Sequence, residues 1–380
     1  MIENKLKQLN ILGQSIWLDY IRRDLIEDGE LKRLILEDNL KGMTSNPSIF
    51  EKAITQSHLY DEDIKKMALE GRESLEIYEV LSQTDVQNAA LEFLHLFEQT
   101  NGKDGLVSLE VNPHLAFNTK GTIAEAHRLW TTLNRKNMLI KVPATKEGLP
   151  AIKQLISDGI NVNVTLLFGL DRYRQVANSY ILGLEDRIAR GMPVNNIYSV
   201  ASFFISRIDG LIDPILEGII KKDDDKQLLA KSLLGQVAIA NAKAAYQIYK
   251  EIFTSSRFEK LANLGAHPQR LLWASTSTKN KKYNELKYIE ALIGPETINT
   301  ITVETLDAYR DQGNPESTLE DNPDDAKSIL LKLQEIGINL YNVTQQLEAE
   351  GVKKFRNSFD SLIESIEKNN LNGKDDKYVN

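Results

Sequence analysis

At 380 residues and 42% hydrophobic side chains, the chain is long enough for one large domain or two ordinary ones and has the apolar content of a soluble globular protein. Its 46 basic and 54 acidic side chains leave a net charge of −8, which favours solubility and argues against a nucleic-acid partner. The absence of cysteine excludes disulfides, thiolate metal sites and cysteine nucleophiles.

Helical and strand signals alternate along the chain. Residues 1–14 predict a helix, followed by strands at 16–19 and 43–46. The long interval to residue 106 holds additional helices. Within it, Thr84-Asp-Val-Gln87 resembles a capping box, and Val86, Ala90, Phe93 and Phe97 recur at helical spacing before Asn101-Gly102. After a strand at 106–111, Thr122-Ile-Ala-Glu125 is a second box, opening a helix toward Asn134. A strand at 138–142 leads to an amphipathic stretch, Lys146 to Ser157, closed by Gly159. A strand at 160–165 is followed by a helix that starts at Asp171 and stops at Gly191-Met-Pro193. Beyond a strand at 197–202, the mixed charges of Lys221–Lys226 read as a solvated helix edge, and Lys226 to Phe253 reads as mostly helical. Strands at 271–275 and 299–303 complete the set. Asn322-Pro-Asp-Asp325 then starts one or two helices over 326–368, and 369–380 is polar and expected to fray.

Repeated strand–helix units mean a parallel sheet, and eight of them predict an α/β fold closed as a (β/α)8 TIM barrel. The expected division is a single barrel domain over 1–370: an N-terminal helix at 1–14, the barrel at 15–320, and C-terminal helices at 321–370. A polar tail follows at 371–380. There is no apolar run of about 18 residues, so no membrane span is expected. Met1-Ile-Glu-Asn-Lys-Leu6 lacks a signal-peptide core, and a cytoplasmic location is expected.

Strand side chains alternate faces, one row toward the barrel axis and one toward the helices. Placing the apolar rows outward (Val107, Leu109 and Val111; Met138, Ile140 and Val142; Ile160, Val162 and Val164) leaves inward rows that end in polar groups. The same rule sets Ile16 and Leu18 outward against Trp17 and Asp19. It sets Ile197 and Ala201 against Tyr198, Val200 and Ser202, and Leu272 and Ala274 against Leu271, Trp273 and Ser275. Barrel active sites lie at the C-terminal strand ends. Asp19, Asn46, Glu110, Lys141, Asn163, Thr165, Ser202 and Ser275 are therefore expected at one mouth.

Lys141 is the most informative of these, because an ammonium costs several kcal/mol to bury unpaired, whereas a neutral amine is a nucleophile toward carbonyls. A protonated imine is an electron sink that lets an adjacent C–C bond break or form. Glu110 and Thr165 suit the holding of a water, and Asp19 suits the taking of a hydroxyl proton. Asn46, Asn163 and Ser202 suit contacts to substrate hydroxyls. Arg207 and Lys279, just past two strand ends, suit a phosphate. Each residue also has a structural reading. Glu110 can simply pair with Lys141, Asp19 with Arg22 or Arg23, Asn46 can start a turn before Pro47, and Arg207 and Lys279 can be solvated surface charges. The histidines form no metal-binding spacing, and neither Gly-x-Gly-x-x-Gly nor a P-loop occurs, so no metal and no cofactor are expected.

At these residues the sequence resembles transaldolase in its longer bacterial form. Met43-Thr-Ser-Asn46-Pro-Ser-Ile-Phe50 is similar to that family's second-strand signature. Met138-Leu-Ile-Lys141-Val-Pro-Ala-Thr145 is similar to the segment around its Schiff-base lysine, and Asn161-Val-Asn163-Val-Thr165-Leu-Leu-Phe168 to its fifth-strand motif. The resemblance implies a transferase of the pentose phosphate pathway that moves a dihydroxyacetone unit between phosphorylated sugars. It assigns Lys141 the imine, Glu110 and Thr165 the catalytic water, and Asp19 the general acid/base. Asn46, Asn163 and Ser202 become polar contacts and Arg207 a phosphate ligand. The seventh strand departs from the shorter members, which carry an arginine soon after an Ala-Ser pair. Here Ala274-Ser275 is followed by Thr-Ser-Thr-Lys279, with Lys279 in that place. Two other readings compete: a fructose 6-phosphate aldolase on the same barrel, and a non-catalytic sugar-phosphate-binding barrel. The lyases usually carry Gln where this chain has Glu110 and Tyr where it has Phe204, which favours the transferase and puts Phe204 among the substrate contacts. Phosphorylated sugars are the expected partners, with the protein a monomer or a homodimer.

Overall fold

A computed structural model describes residues 4–222 and 225–375, with side chains described up to 368. Eight parallel strands pair in chain order and close on themselves. They are β1 (Gln14–Asp19), β2 (Gly42–Thr44), β3 (Leu106–Glu110), β4 (Met138–Pro143), β5 (Val162–Leu167), β6 (Ser199–Phe204), β7 (Arg270–Ala274) and β8 (Thr297–Ile301). Every run predicted as a strand forms one, with small displacements of the ends. The runs are short, rich in branched apolar residues, and buried on both faces, as strands sandwiched between an inner core and a helix layer must be.

Helix ends depart from expectation where a hydroxyl misleads. The helix expected from Thr84 runs over Ser74–Gln99, with its capping box at Glu73 and Glu76. Thr84 lies inside it and donates to the Val80 carbonyl at 2.7 Å, a back-bond that imitates a start signal in sequence. Likewise the next helix is Thr119–Leu133, capped by Asn118, and Thr122 bonds back to Leu115. Asn134 and Gly159 end their helices in the left-handed region, at φ of 44° and 94°. The stretch expected as one long helix from Lys226 is two, Gln227–Leu233 and Val237–Phe253. Gly235 breaks it at φ +66°, and a Cβ there would stand 2.3 Å from Lys287 Nζ. At the C-terminal end, Pro323–Glu335 and Leu340–Asp375 are helical. The tail expected at 371–380 is thus helical to Asp375, and 376–380 lie outside the described residues, as do 223–224 of the charged cluster. No described helix is long and apolar enough to cross a membrane.

The N-terminal end of the barrel is plugged by charge. Arg270, the first residue of β7, stands 3.1 Å from Asp104 and donates to Ser15 at 3.0 Å, and Ser15 donates to Asp104 at 2.7 Å. Both partners of the ion pair are nearly sealed, at 6% and 5% side-chain exposure. Asp104→Ala would strand a buried guanidinium and is expected to cost about 3–5 kcal/mol of unfolding free energy, read from urea denaturation.

This plug corrects the expected facing of β7. Arg270 points inward, and alternation then brings Leu272 and Ala274 inward too. Ala274 lines the mouth. Trp273 points out, packs edge-on against Phe203 at 6.3 Å and donates to the Leu292 carbonyl at 3.2 Å. Leu271 and Trp273 therefore belong to the outer row, opposite to the sequence reading.

Candidate active site

The C-terminal strand ends open into a cavity of about 320 Å³. Lys141 lies in register with Glu110 on β3 and Asn163 on β5, so three inward polar groups share one layer. The Lys141 side chain is only 5% exposed yet lines the cavity. Its Nζ donates to the Ser45 carbonyl at 2.8 Å and stands 3.5 Å from Glu110 Oε2.

Glu110 sits behind Lys141, off the wall of the main cavity. Neither of its carboxylate oxygens has a hydrogen-bond partner. Burial pushes its pKa up to about 7 against the pull of Lys141, and the charge of Asp19 adds to the rise. Its pairing with Lys141 is therefore real but incomplete. Thr165 is fully buried and lines the mouth, and its hydroxyl is also unpartnered.

Asp19 ends β1 on the same cavity. Burial raises its carboxyl above the ordinary 3.8, opposed by the charge of Lys141 and by the hydrogen bond from Thr44 Oγ1 at 2.7 Å. It does not pair with its arginine neighbours: Arg22 binds Asp24 and Arg23 binds Asp63, each at 2.6 Å. Asn46 starts the turn before Pro47 and also faces the mouth. Its Oδ1 caps the helix Pro47–Thr55 by accepting from Ile49 N at 3.1 Å, and the residue lines the mouth. Ser202 and Phe204 reach the cavity from β6. Asn163 lies deeper: its amide nitrogen donates to Ser108 at 3.0 Å and its oxygen accepts from Ser202 at 2.6 Å, so it orients Ser202 from behind.

Arg207, in the first turn of the helix Ser206–Ile220, lies over the Phe204 ring at 5.0 Å. Burial holds its pKa below the ordinary guanidinium value, against the pull of Asp19. Ser275 reaches the mouth because the chain has left strand geometry there, at φ +55°. Lys279 completes that side from the loop after β7.

Sequence reasoning missed several lining residues, among them two threonines and two lysines. Thr44 and Thr300, 3.0 Å apart, are inward polar groups on β2 and β8, and the alternation rule finds them once applied to those strands. Lys52 and Lys354 add cations from the helices Pro47–Thr55 and Leu340–Asp375. Lys354 carries a lowered pKa from burial and from the nearby charges of Arg207, Lys279 and Lys52. Nothing in local pattern announces it, because it arrives from about 200 residues beyond Lys141 in sequence.

Residues 16–366 match the family described as Transaldolase/Fructose-6-phosphate aldolase. This chain belongs to that family. A transaldolase of Trichodesmium erythraeum is 47% identical over 371 residues, covering 97% of this chain and 98% of the relative. A transaldolase of Thiobacillus denitrificans is 44% identical over 363 residues, covering 96% and 99%. One named transaldolase 2, from Nostoc punctiforme, is 44% identical over 372 residues, covering 97% and 98%. The match reaches residue 366, so the family pattern takes in the C-terminal helix that carries Lys354.

Proposed function

We propose that this member of the transaldolase/fructose-6-phosphate aldolase family is a transaldolase that carries a dihydroxyacetone unit between phosphorylated sugars on Lys141. The observation that carries the mechanism is a buried amine 3.5 Å from a carboxyl whose pKa is pushed up to about 7, with a second, half-buried carboxyl, Asp19, on the same cavity. The Lys141 amine adds to the ketose carbonyl, and loss of water gives the protonated imine. Glu110 exchanges protons near neutrality, which suits both the dehydration and its reversal. The unpartnered oxygens of Glu110 and the Thr165 hydroxyl are the groups that would hold the expelled water. Asp19 then takes the proton of the C4 hydroxyl as the C3–C4 bond breaks. Its electron pair enters the imine to give an enamine, and an aldehyde leaves. Asn46 and Ser202 hold hydroxyls, while Arg207 and Lys279 hold the phosphate at the rim. Addition of the enamine to an acceptor aldehyde runs these steps in reverse.

The named relatives support a transferase over a lyase, as does Phe204, which brings no hydroxyl to the mouth. The test is to supply fructose 6-phosphate with and without erythrose 4-phosphate. Sedoheptulose 7-phosphate is expected only with the acceptor, with free dihydroxyacetone forming far more slowly. Release of dihydroxyacetone at the transfer rate would assign the chain to the lyase side of the family.

A further inference from the structure

Lys279 stands in the run Lys279-Asn-Lys-Lys282 on a loop between β7 and a short helix at Lys287–Glu290. A lysine on such a loop brings a mobile point charge, a poor phosphate ligand unless its backbone is held. The structure shows what holds it. On the helix Ser206–Ile220, Asp209 and Asp213 are one turn apart and both buried. Tyr283 donates to Asp213 Oδ2 at 2.7 Å, while Gly235 N donates to Oδ1 of the same carboxylate at 2.9 Å. Tyr288 donates to Asp209 Oδ2 at 2.9 Å, and Ala238 N donates to its Oδ1 at 2.7 Å. Lys287 closes the group, 4.0 Å from Asp209 and 3.5 Å from the centre of the Tyr283 ring.

Both carboxylates thus use one oxygen to fix the chain around residues 235–238; with the other, Asp213 fixes the loop that carries Lys279 and Asp209 fixes the short helix that ends that loop. Two charges set between elements in this way are costly to bury, and fold stability alone would be served as well by apolar packing. Their helix has a second property: its first turn carries Arg207. At the same end, Ser206 N donates to the Ser275 carbonyl at 3.0 Å, which ties the start of this helix to the start of the loop. One rigid helix therefore carries the arginine and anchors the segment of the lysine.

We propose that Asp213 with Tyr283, reinforced by Asp209 with Tyr288, is a clasp that positions Lys279 against Arg207 and so sets the preference for a phosphorylated substrate. These are positioning residues; none of the four lines the sugar cavity. The inference rests on the reading that Arg207 and Lys279 hold the phosphate. A planar arginine fork carries its own geometry, whereas a lysine needs geometry imposed from outside. That is the physical reason for a clasp where a lysine takes the place.

The experiment compares Tyr283→Phe, Lys279→Ala and the double variant on fructose 6-phosphate and on unphosphorylated fructose, each with erythrose 4-phosphate as acceptor and after a thermal melt to confirm folding. Tyr283→Phe removes one hydroxyl and is expected to raise KM for fructose 6-phosphate about three- to tenfold with kcat nearly unchanged. It should leave kcat/KM for fructose alone. In the Lys279→Ala background the tyrosine substitution should add nothing. An equal effect of Tyr283→Phe on both sugars, an effect that persists without Lys279, or no effect at all while Lys279→Ala is impaired would overturn the clasp. If Lys279→Ala itself leaves KM for fructose 6-phosphate unchanged, the phosphate reading fails and the clasp falls with it. Asp213→Asn, whose one oxygen can serve Gly235 N or the Tyr283 hydroxyl but not both, is expected to raise KM for fructose 6-phosphate in the same selective way, and serves if the tyrosine variant does not fold.

Discussion

Lys141→Ala is expected to leave a folded barrel that has lost turnover by about 10⁴- to 10⁶-fold, the scale on which removal of a covalent nucleophile acts. Without the amine no imine forms, and neither Asp19 nor Glu110 offers another electron sink. Folding should survive because the side chain is held by only one hydrogen bond, to the Ser45 carbonyl, and by an incomplete pairing with Glu110. The alanine leaves a void beside a buried carboxyl, so Lys141→Met, which fills the space with a straight apolar chain, is the matched control. Both variants should melt cooperatively and be inactive in the acceptor-dependent assay. A Lys141→Ala enzyme that turned over at even a tenth of the normal rate would show that catalysis runs elsewhere.

Asp19→Asn should separate imine formation from bond cleavage. The amide is nearly isosteric and still accepts the Thr44 hydrogen bond at its oxygen, but it cannot take the C4 hydroxyl proton. A fall in kcat of about 10²–10⁴-fold is expected. The imine with fructose 6-phosphate should still form and be trapped as the uncleaved six-carbon adduct. The pH dependence gives an independent reading. Asp19 must be ionised to act as base in cleavage, and burial places its pKa above 3.8. Wild-type kcat for cleavage should therefore fall as pH drops through that raised value, and Asp19→Asn should lose this limb. Thr44 stabilises the ionised form, so Thr44→Val should move the limb to higher pH. A profile that does not respond to either substitution would remove Asp19 from the proton transfer.

Much of this site was legible because a buried strand advertises its inward row when the last inward residue is polar. Glu110, Lys141, Asn163, Thr165 and Asp19 all stand out in this way, and the structure brings them to one end of the barrel, with Glu110 and Asn163 behind the cavity wall. The same rule failed on β7, where Leu271, Leu272 and Trp273 give no contrast between faces. The alternation pattern puts Ser275 at the polar end of an inward row, but it lies past the strand, turned into the mouth by its positive φ. Arg270 would have settled the register, since a charge at the first position of a buried strand belongs where it can meet a partner, and Asp104 is that partner. Lys354 and the Asp213–Tyr283 clasp were illegible for another reason. They depend on which distant helices pack beside the mouth, and no local periodicity encodes that. The departure from the shorter members at Lys279 was visible in sequence, while the means of holding that lysine was not.

The most direct measurement is reduction with borohydride during turnover of fructose 6-phosphate, followed by mass mapping of the proteolysed chain. The account predicts one stable three-carbon adduct, on the peptide that contains Lys141, and none without substrate. An adduct on Lys279, Lys354 or any lysine other than Lys141, or an enzyme that keeps full activity after exhaustive treatment, would contradict it.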